Sequence, residues 1–198
     1  MKQDKYPKTL LTIFLIFWLI LAISPSNREI WFTENILTFL FIPLLIYTYK
    51  KFRLTNLSYT FIFIFMILHT IGSHYSYAEV PLFNKVQDSF NLSRNHYDRI
   101  VHFLFGFIFF APIYEVLTRK LKLSKSYSLL FAFLLVTSLK GIYEVLEYLY
   151  YVFRESKVFS DAFLGSQGDI WDAQKDMLLG IIGSLIALVI IKLNCKEK

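Results

Sequence analysis

Six apolar runs, separated by short clusters of charge, constrain this chain more than any other feature of its sequence. They cover residues 9–23, 30–49, 54–73, 100–117, 127–153 and 173–191. Runs of this kind satisfy their backbone internally as helices and their side chains in lipid, which a small water-soluble core does not allow. Composition agrees: 56% of the 198 residues are hydrophobic, 18% are charged, and mean hydropathy is +0.48, more apolar surface than one soluble core hides. The expected fold is all-α: a polytopic membrane helical bundle of six transmembrane helices, forming a single integral membrane domain over residues 1–198. Several uncharged stretches are near 15 residues, short of the ~20 that cross a bilayer comfortably, so flanking polar groups should reach the interface. Pro43 should kink the second span.

The first run follows Lys2, Lys5 and Lys8 and so also has the outline of a signal peptide, but Ala22-Ile23-Ser24-Pro25 is a poor cleavage site. It is expected to remain as a span. Orientation follows from the basic residues. One set of alternate segments holds thirteen Lys and Arg (Lys2, Lys5, Lys8, Lys50, Lys51, Arg53, Arg119, Lys120, Lys122, Lys125, Lys192, Lys196, Lys198). The other holds seven (Arg28, Lys85, Arg94, Arg99, Arg154, Lys157, Lys175), and Lys140 falls inside a span. The richer side should be cytoplasmic, which puts both termini inside. The net charge of +6 is therefore a topology signal, and no nucleic-acid partner is expected. Cys195 is the single cysteine, which excludes an intrachain disulfide and a cysteine-based metal centre.

Twelve of the fifteen acidic residues, all except Asp4, Glu115 and Glu197, fall on or near the outer side, with all four histidines. The positive-inside rule does not demand this, because Asp and Glu contribute little to orientation. Helical spacing shows which of them share a face. Asp98 and His102 are i,i+4, a spacing that permits a carboxylate–imidazole hydrogen bond or two ligands on one ion. Glu144 and Glu147 are i,i+3, with Lys140 one turn before Glu144. Asp169, Asp172 and Asp176 form one acidic stripe at i, i+3, i+7. His69 and His74 would not align on a regular helix unless Gly72 lets it unwind. Each residue alone also has a bland reading: Asp98 as a helix cap, Asp169 and Asp172 on a helix dipole, Lys140 and Glu144 neutralising each other. For the set, the cost of ~2.5–3.5 kcal/mol per unpaired charge inside a span favours a shared polar cavity. Glu115 and Arg119 read as a plain ion pair, Trp31, Trp171 and the tyrosines as an interfacial aromatic belt, and residues 78–95 as an amphipathic outer loop or lid.

Three stretches carry a resemblance: Tyr97-Asp98-Arg99-Ile100-Val101-His102 with Phe103-Leu104-Phe105-Gly106-Phe107, Lys140-Gly141-Ile142-Tyr143-Glu144-Val145-Leu146-Glu147, and Gly168-Asp169-Ile170-Trp171-Asp172-Ala173-Gln174-Lys175-Asp176-Met177. The pattern resembles the YjdF-type bacterial inner-membrane proteins, which implies a multi-pass protein of the bacterial cytoplasmic (inner) membrane and no particular activity. It is more loosely similar to the VanZ-like cell-envelope proteins, with Asp98 and His102, then Glu144, then Asp172 and Gly183 at matching positions, and with Glu147 and Asp176 where that pattern has Gln and Asn.

These readings converge on a candidate catalytic set of Asp98, His102, Glu144, Glu147, Asp172 and Asp176. The candidate metal set is His69, His74, His102, Asp98 and Asp169, and a divalent metal is the one cofactor it suggests. Membrane lipids are the expected partners, and a homo-oligomer is compatible with six spans. The leading expectation is an enzyme or binding protein acting on an envelope lipid or lipid-linked group. A small proton- or ion-coupled transporter and a non-catalytic membrane scaffold are the alternatives.

Overall fold

A computed structural model describes residues 5–153 and 167–194. Lys2, Arg154, Lys157, Lys196 and Lys198, which entered the charge count, lie outside the described residues, as does Cys195. Among the described residues there are seven α-helices and no strand: α1 (Lys5–Leu21), α2 (Arg28–Lys51), α3 (Asn56–His74), α4 (Pro81–Phe90), α5 (Tyr97–Glu115, extended by a π-turn, Val116–Lys120), α6 (Lys125–Phe153) and α7 (Asp172–Asn194). The six expected spans correspond to six of these helices, with boundaries shifted by a few residues at most. Five are long and apolar enough to cross a membrane: α2, α3, α5 with its π-turn, α6 and α7. The remaining one, α1, has 17 residues, a length of about 25 Å against the ~30 Å hydrocarbon layer. Within the stretch 78–95, expected as an amphipathic outer loop or lid, lies the helix α4, with Pro81 in its first turn and Asn91 in the left-handed conformation closing it.

The chain forms two compact units, residues 1–97 and 98–198. In the first, α3 packs against α1 and α2. Asn27 starts α2 by accepting the Glu29 and Ile30 N–H groups, and Thr55 starts α3 by accepting that of Ser58. Neutral polar groups join the helices. Asn35, fully buried, accepts from Trp18 Nε1 at 2.6 Å and donates to Ser73 Oγ at 3.1 Å and to the Trp31 carbonyl at 2.8 Å. Trp31 belongs to this core and not to an interfacial belt: it is 7% exposed and stacks near Trp18, with ring centroids 5.5 Å apart. Gly72 does not unwind α3, which stays helical through His74. A side chain at position 72 would collide with the ring of Tyr77, so the glycine makes room for that ring, whose hydroxyl lies 2.5 Å from His69 Nδ1.

In the second unit, α6 packs along α7. A core of Phe110, Leu117, Ala132, Val136 and Ala187 joins α5 with its π-turn, α6 and α7. A Cβ on Gly106 would strike the Gly180 carbonyl oxygen, and one on Gly183 would strike that of Phe103. Small residues let the α5 and α7 backbones touch, as expected for helices that associate in lipid by close packing. Directly beside this crossing, the first turns of α5 and α7 and the later part of α6 come together.

Candidate functional site

The geometry of that meeting point follows from helical spacing and from how α5 begins. Asn95 accepts the Tyr97 N–H at 3.0 Å, so the start of α5 is tied by Asn95, and the Asp98 carboxylate faces His102. One turn separates Asp98 from His102, and Asp98 Oδ1 lies 2.8 Å from His102 Nε2. The other ring nitrogen, Nδ1, is 3.7 Å from Glu144 Oε1. Glu144 in turn pairs with Lys140 one turn earlier on α6, and the Lys140 ammonium sits 5.2 Å from the centre of the Tyr143 ring. Asp98, His102, Lys140 and Glu144 are all buried, at 3–8% exposure.

Arg99 organises the remaining carboxylates. Its Nη2 lies 2.6 Å from Asp172 Oδ1 and 3.1 Å from Asp169 Oδ2. Its Nη1 donates to the Asp172 carbonyl at 2.9 Å and lies 2.7 Å from Asp176 Oδ1. The planar guanidinium fork suits this work because it serves several oxygens at fixed angles. Asp169 also receives Lys175 Nζ at 2.6 Å and the Trp171 N–H at 3.1 Å, and these two bonds hold its carboxyl below the usual range. Asp172 and Asp176 stand in the first turns of α7, where the helix dipole favours negative charge.

The structure therefore brings five of the six catalytic candidates into one buried network: Asp98, His102, Glu144, Asp172 and Asp176. Glu147, one turn beyond Glu144, is only half-buried. The metal candidates divide differently. Asp98, His102 and Asp176 form the one trio among the described residues whose ligand atoms all lie within 4.8 Å of one another. Asp169 is engaged by Arg99 and Lys175. His69 and His74 belong to the first unit, where His69 meets Tyr77 and His74 Nδ1 meets the Leu21 carbonyl at 2.7 Å. The expected ion pair of Glu115 with Arg119 is present.

Sequence reasoning missed Arg99, which it treated only as a topology marker. A signal was present: an arginine beside Asp98 in the first turn of an apolar helix, with the three-carboxylate stripe Asp169, Asp172, Asp176 elsewhere in the chain and only Lys175 near it to match three charges. It also missed Glu34, counted as an outer interfacial acid but 5% exposed within α2.

The residues of this network lie in a stretch with known relatives. Inner membrane protein YjdF of Escherichia coli (strain K12) is 31% identical over 189 residues, covering 94% of this chain and 88% of that protein. The looser likeness to VanZ-like proteins is not shown by these comparisons, and no solved structure matches significantly. Residues 6–197, which contain every helix that carries the site, match the family described as predicted membrane protein (DUF2238). With its long apolar helices and this match over nearly its whole length, the chain is a multi-pass protein of the bacterial inner membrane and belongs to the DUF2238 family.

Proposed function

We propose that the protein acts on an envelope lipid or lipid-linked head group through an outer-facing His–carboxylate site. The observation that carries this reading is the His102 imidazole set between two buried carboxylates, Asp98 at 2.8 Å from one ring nitrogen and Glu144 at 3.7 Å from the other. Asp98 anchors one ring nitrogen and Glu144 stands near the other, so the imidazole is held in one orientation, as a general acid or base requires. Charges buried in membrane helices are costly, and they characteristically mark a site. In this reading the chain crosses six times, with α1 as the first and shortest span and both termini cytoplasmic. The excess of thirteen basic residues over seven supports it. The helix ends bearing His102, Glu144 and Asp176 then open toward outer-leaflet head groups.

Two experiments test it. In a deletion strain, His102→Ala and Asp98→Asn should fail to restore the envelope lipid profile measured by mass spectrometry, while both variants remain abundant in the membrane. Full restoration by either variant sinks the reading, and loss of both from the membrane favours the scaffold alternative. For orientation, cysteines placed by Asp88→Cys and Ser124→Cys in a Cys195→Ser background should label with an impermeant maleimide in intact cells at 88 only. Labelling at 124 instead reverses the topology.

A second reading, a proton- or ion-coupled transporter, is favoured by the Lys140–Glu144 pair lying 3% and 7% exposed within a membrane helix, where paired charges serve as relays. Flux measured in proteoliposomes, with lipid composition held fixed, separates the two.

A further inference from the structure

We infer that Asp98, His102 and Asp176 form a binding site for one divalent first-row transition-metal ion, a reading that deepens the function proposed above. The ligand atoms of the trio lie within 4.8 Å of one another. An ion about 2.1 Å from each ligand holds its ligands about 3–4 Å apart, so small side-chain adjustments complete the shell. His102 Nε2 and Asp98 Oδ1, now in hydrogen-bond contact at 2.8 Å, need to part only slightly to sit on one ion. One imidazole with two carboxylates suits manganese, iron or zinc better than magnesium or calcium, which prefer oxygen throughout.

Two further observations point to a cation. Four buried carboxylates, Asp98, Glu144, Asp172 and Asp176, share this network with two buried basic side chains, Arg99 and Lys140. With these groups ionised and the imidazole neutral, as metal ligation requires, four carboxylates exceed two cations by two charges, which one divalent ion cancels. Asp176 is 2% exposed, and its Oδ1, 2.7 Å from Arg99, lacks a hydrogen bond of good geometry. Oδ1 can turn to an ion while Arg99, anchored on Asp172, holds the start of α7 in place, which makes Arg99 a positioning residue. Glu144, held by Lys140 and 3.7 Å from His102 Nδ1, stands one small shift from the carboxylate–histidine–metal arrangement that orients a ligating ring.

The test uses the full-length chain in mild detergent, free of any affinity tag, stripped with chelator and titrated with Mn²⁺ alone by electron paramagnetic resonance. Zn²⁺ is followed in parallel by elemental analysis. The wild type should bind about one ion per chain. Asp176→Asn and His102→Gln should abolish binding, and Glu144→Gln should weaken it about 10–100-fold. Glu115→Gln, in the separate Arg119 pair, should leave it unchanged. A wild type that binds neither ion at millimolar concentration overturns the inference without any variant having to fold. Unchanged binding in folded Asp176→Asn and His102→Gln overturns it equally. Because binding is read directly, a lipid phenotype without metal refutes the metal site alone, and metal without a lipid phenotype refutes the proposed reaction alone.

Discussion

The two units solve the same problem, polar groups inside membrane helices, in different ways. Residues 1–97 bury mostly neutral groups, with Glu34 and Arg94 the charged exceptions: Asn35, Thr38, Ser58, Thr70 and Ser73 are all at 4% exposure or less, and His69 meets a tyrosine. Such groups join helices at modest gain, about 0.6 kcal/mol per interhelical hydrogen bond on average in lipid. Residues 98–198 bury Asp98, Arg99, Lys140, Glu144, Asp172 and Asp176 within reach of one histidine. Helix association alone does not call for that many charges, since apolar residues of like volume pack as well or better. The first unit thus leans on neutral hydrogen bonds between helices, and the second concentrates buried charge around one histidine, where the proposed chemistry is placed.

The strongest challenge to this contrast is Arg99→Ala. Removing one guanidinium leaves Asp172 and Asp176 buried without their shared cation, and should cost about 3–5 kcal/mol in unfolding measured in detergent. Arg99→Lys keeps the charge but not the fork, and should recover only part of it. A loss below about 1 kcal/mol for Arg99→Ala would show the network to be loosely held and the contrast overdrawn. Next in size is Gly183→Ala, where the new Cβ meets the Phe103 carbonyl oxygen across a backbone contact. It should cost about 1–3 kcal/mol. Gly141→Ala, with open space around it, should change little by the same assay.

In the first unit, Asn35→Ala removes bonds to Trp18, Trp31 and Ser73 and should cost about 1–2 kcal/mol. It should leave the lipid phenotype and Mn²⁺ binding intact, and loss of either would dissolve the division of labour between the units. The smallest effect belongs to Asp169→Asn. The Asp169 carboxyl is held low first by Lys175 and then by the Trp171 N–H, so its folded pKa lies below the unfolded value of about 3.9. Its contribution is present above that pH and is lost as pH falls through the folded value. Wild type and Asp169→Asn should therefore differ slightly in thermal midpoint at neutral pH and converge in strong acid.

Much of the fold was legible because a bilayer imposes a one-dimensional test. A stretch that is apolar for long enough must be helical and must cross, and neighbouring residues decide this without tertiary contacts. The helices α2, α3, α5, α6 and α7 were readable on that ground, as were the pairs internal to one helix, Asp98 with His102, Lys140 with Glu144 and Glu115 with Arg119, because 3.6 residues per turn places them. The helix α4 was not, since ten residues at an interface satisfy no length criterion. Gly72 was misread because its reason is the Tyr77 ring, which folds back from five residues on.

The sequence alone thus determined membrane helices, a bias of acids and histidines toward one set of helix ends, and the faces on which they lie. The tertiary structure decided which faces meet. Only it joins Arg99 to Asp172 and Asp176 across more than seventy residues, sets His102 near Glu144, and separates Asp169, drawn to Lys175, from the trio of Asp98, His102 and Asp176. The physical reason is that charge pairing acts over a few ångströms of space, and distance along the chain says nothing of it once Gly106, Gly180 and Gly183 have let two backbones touch.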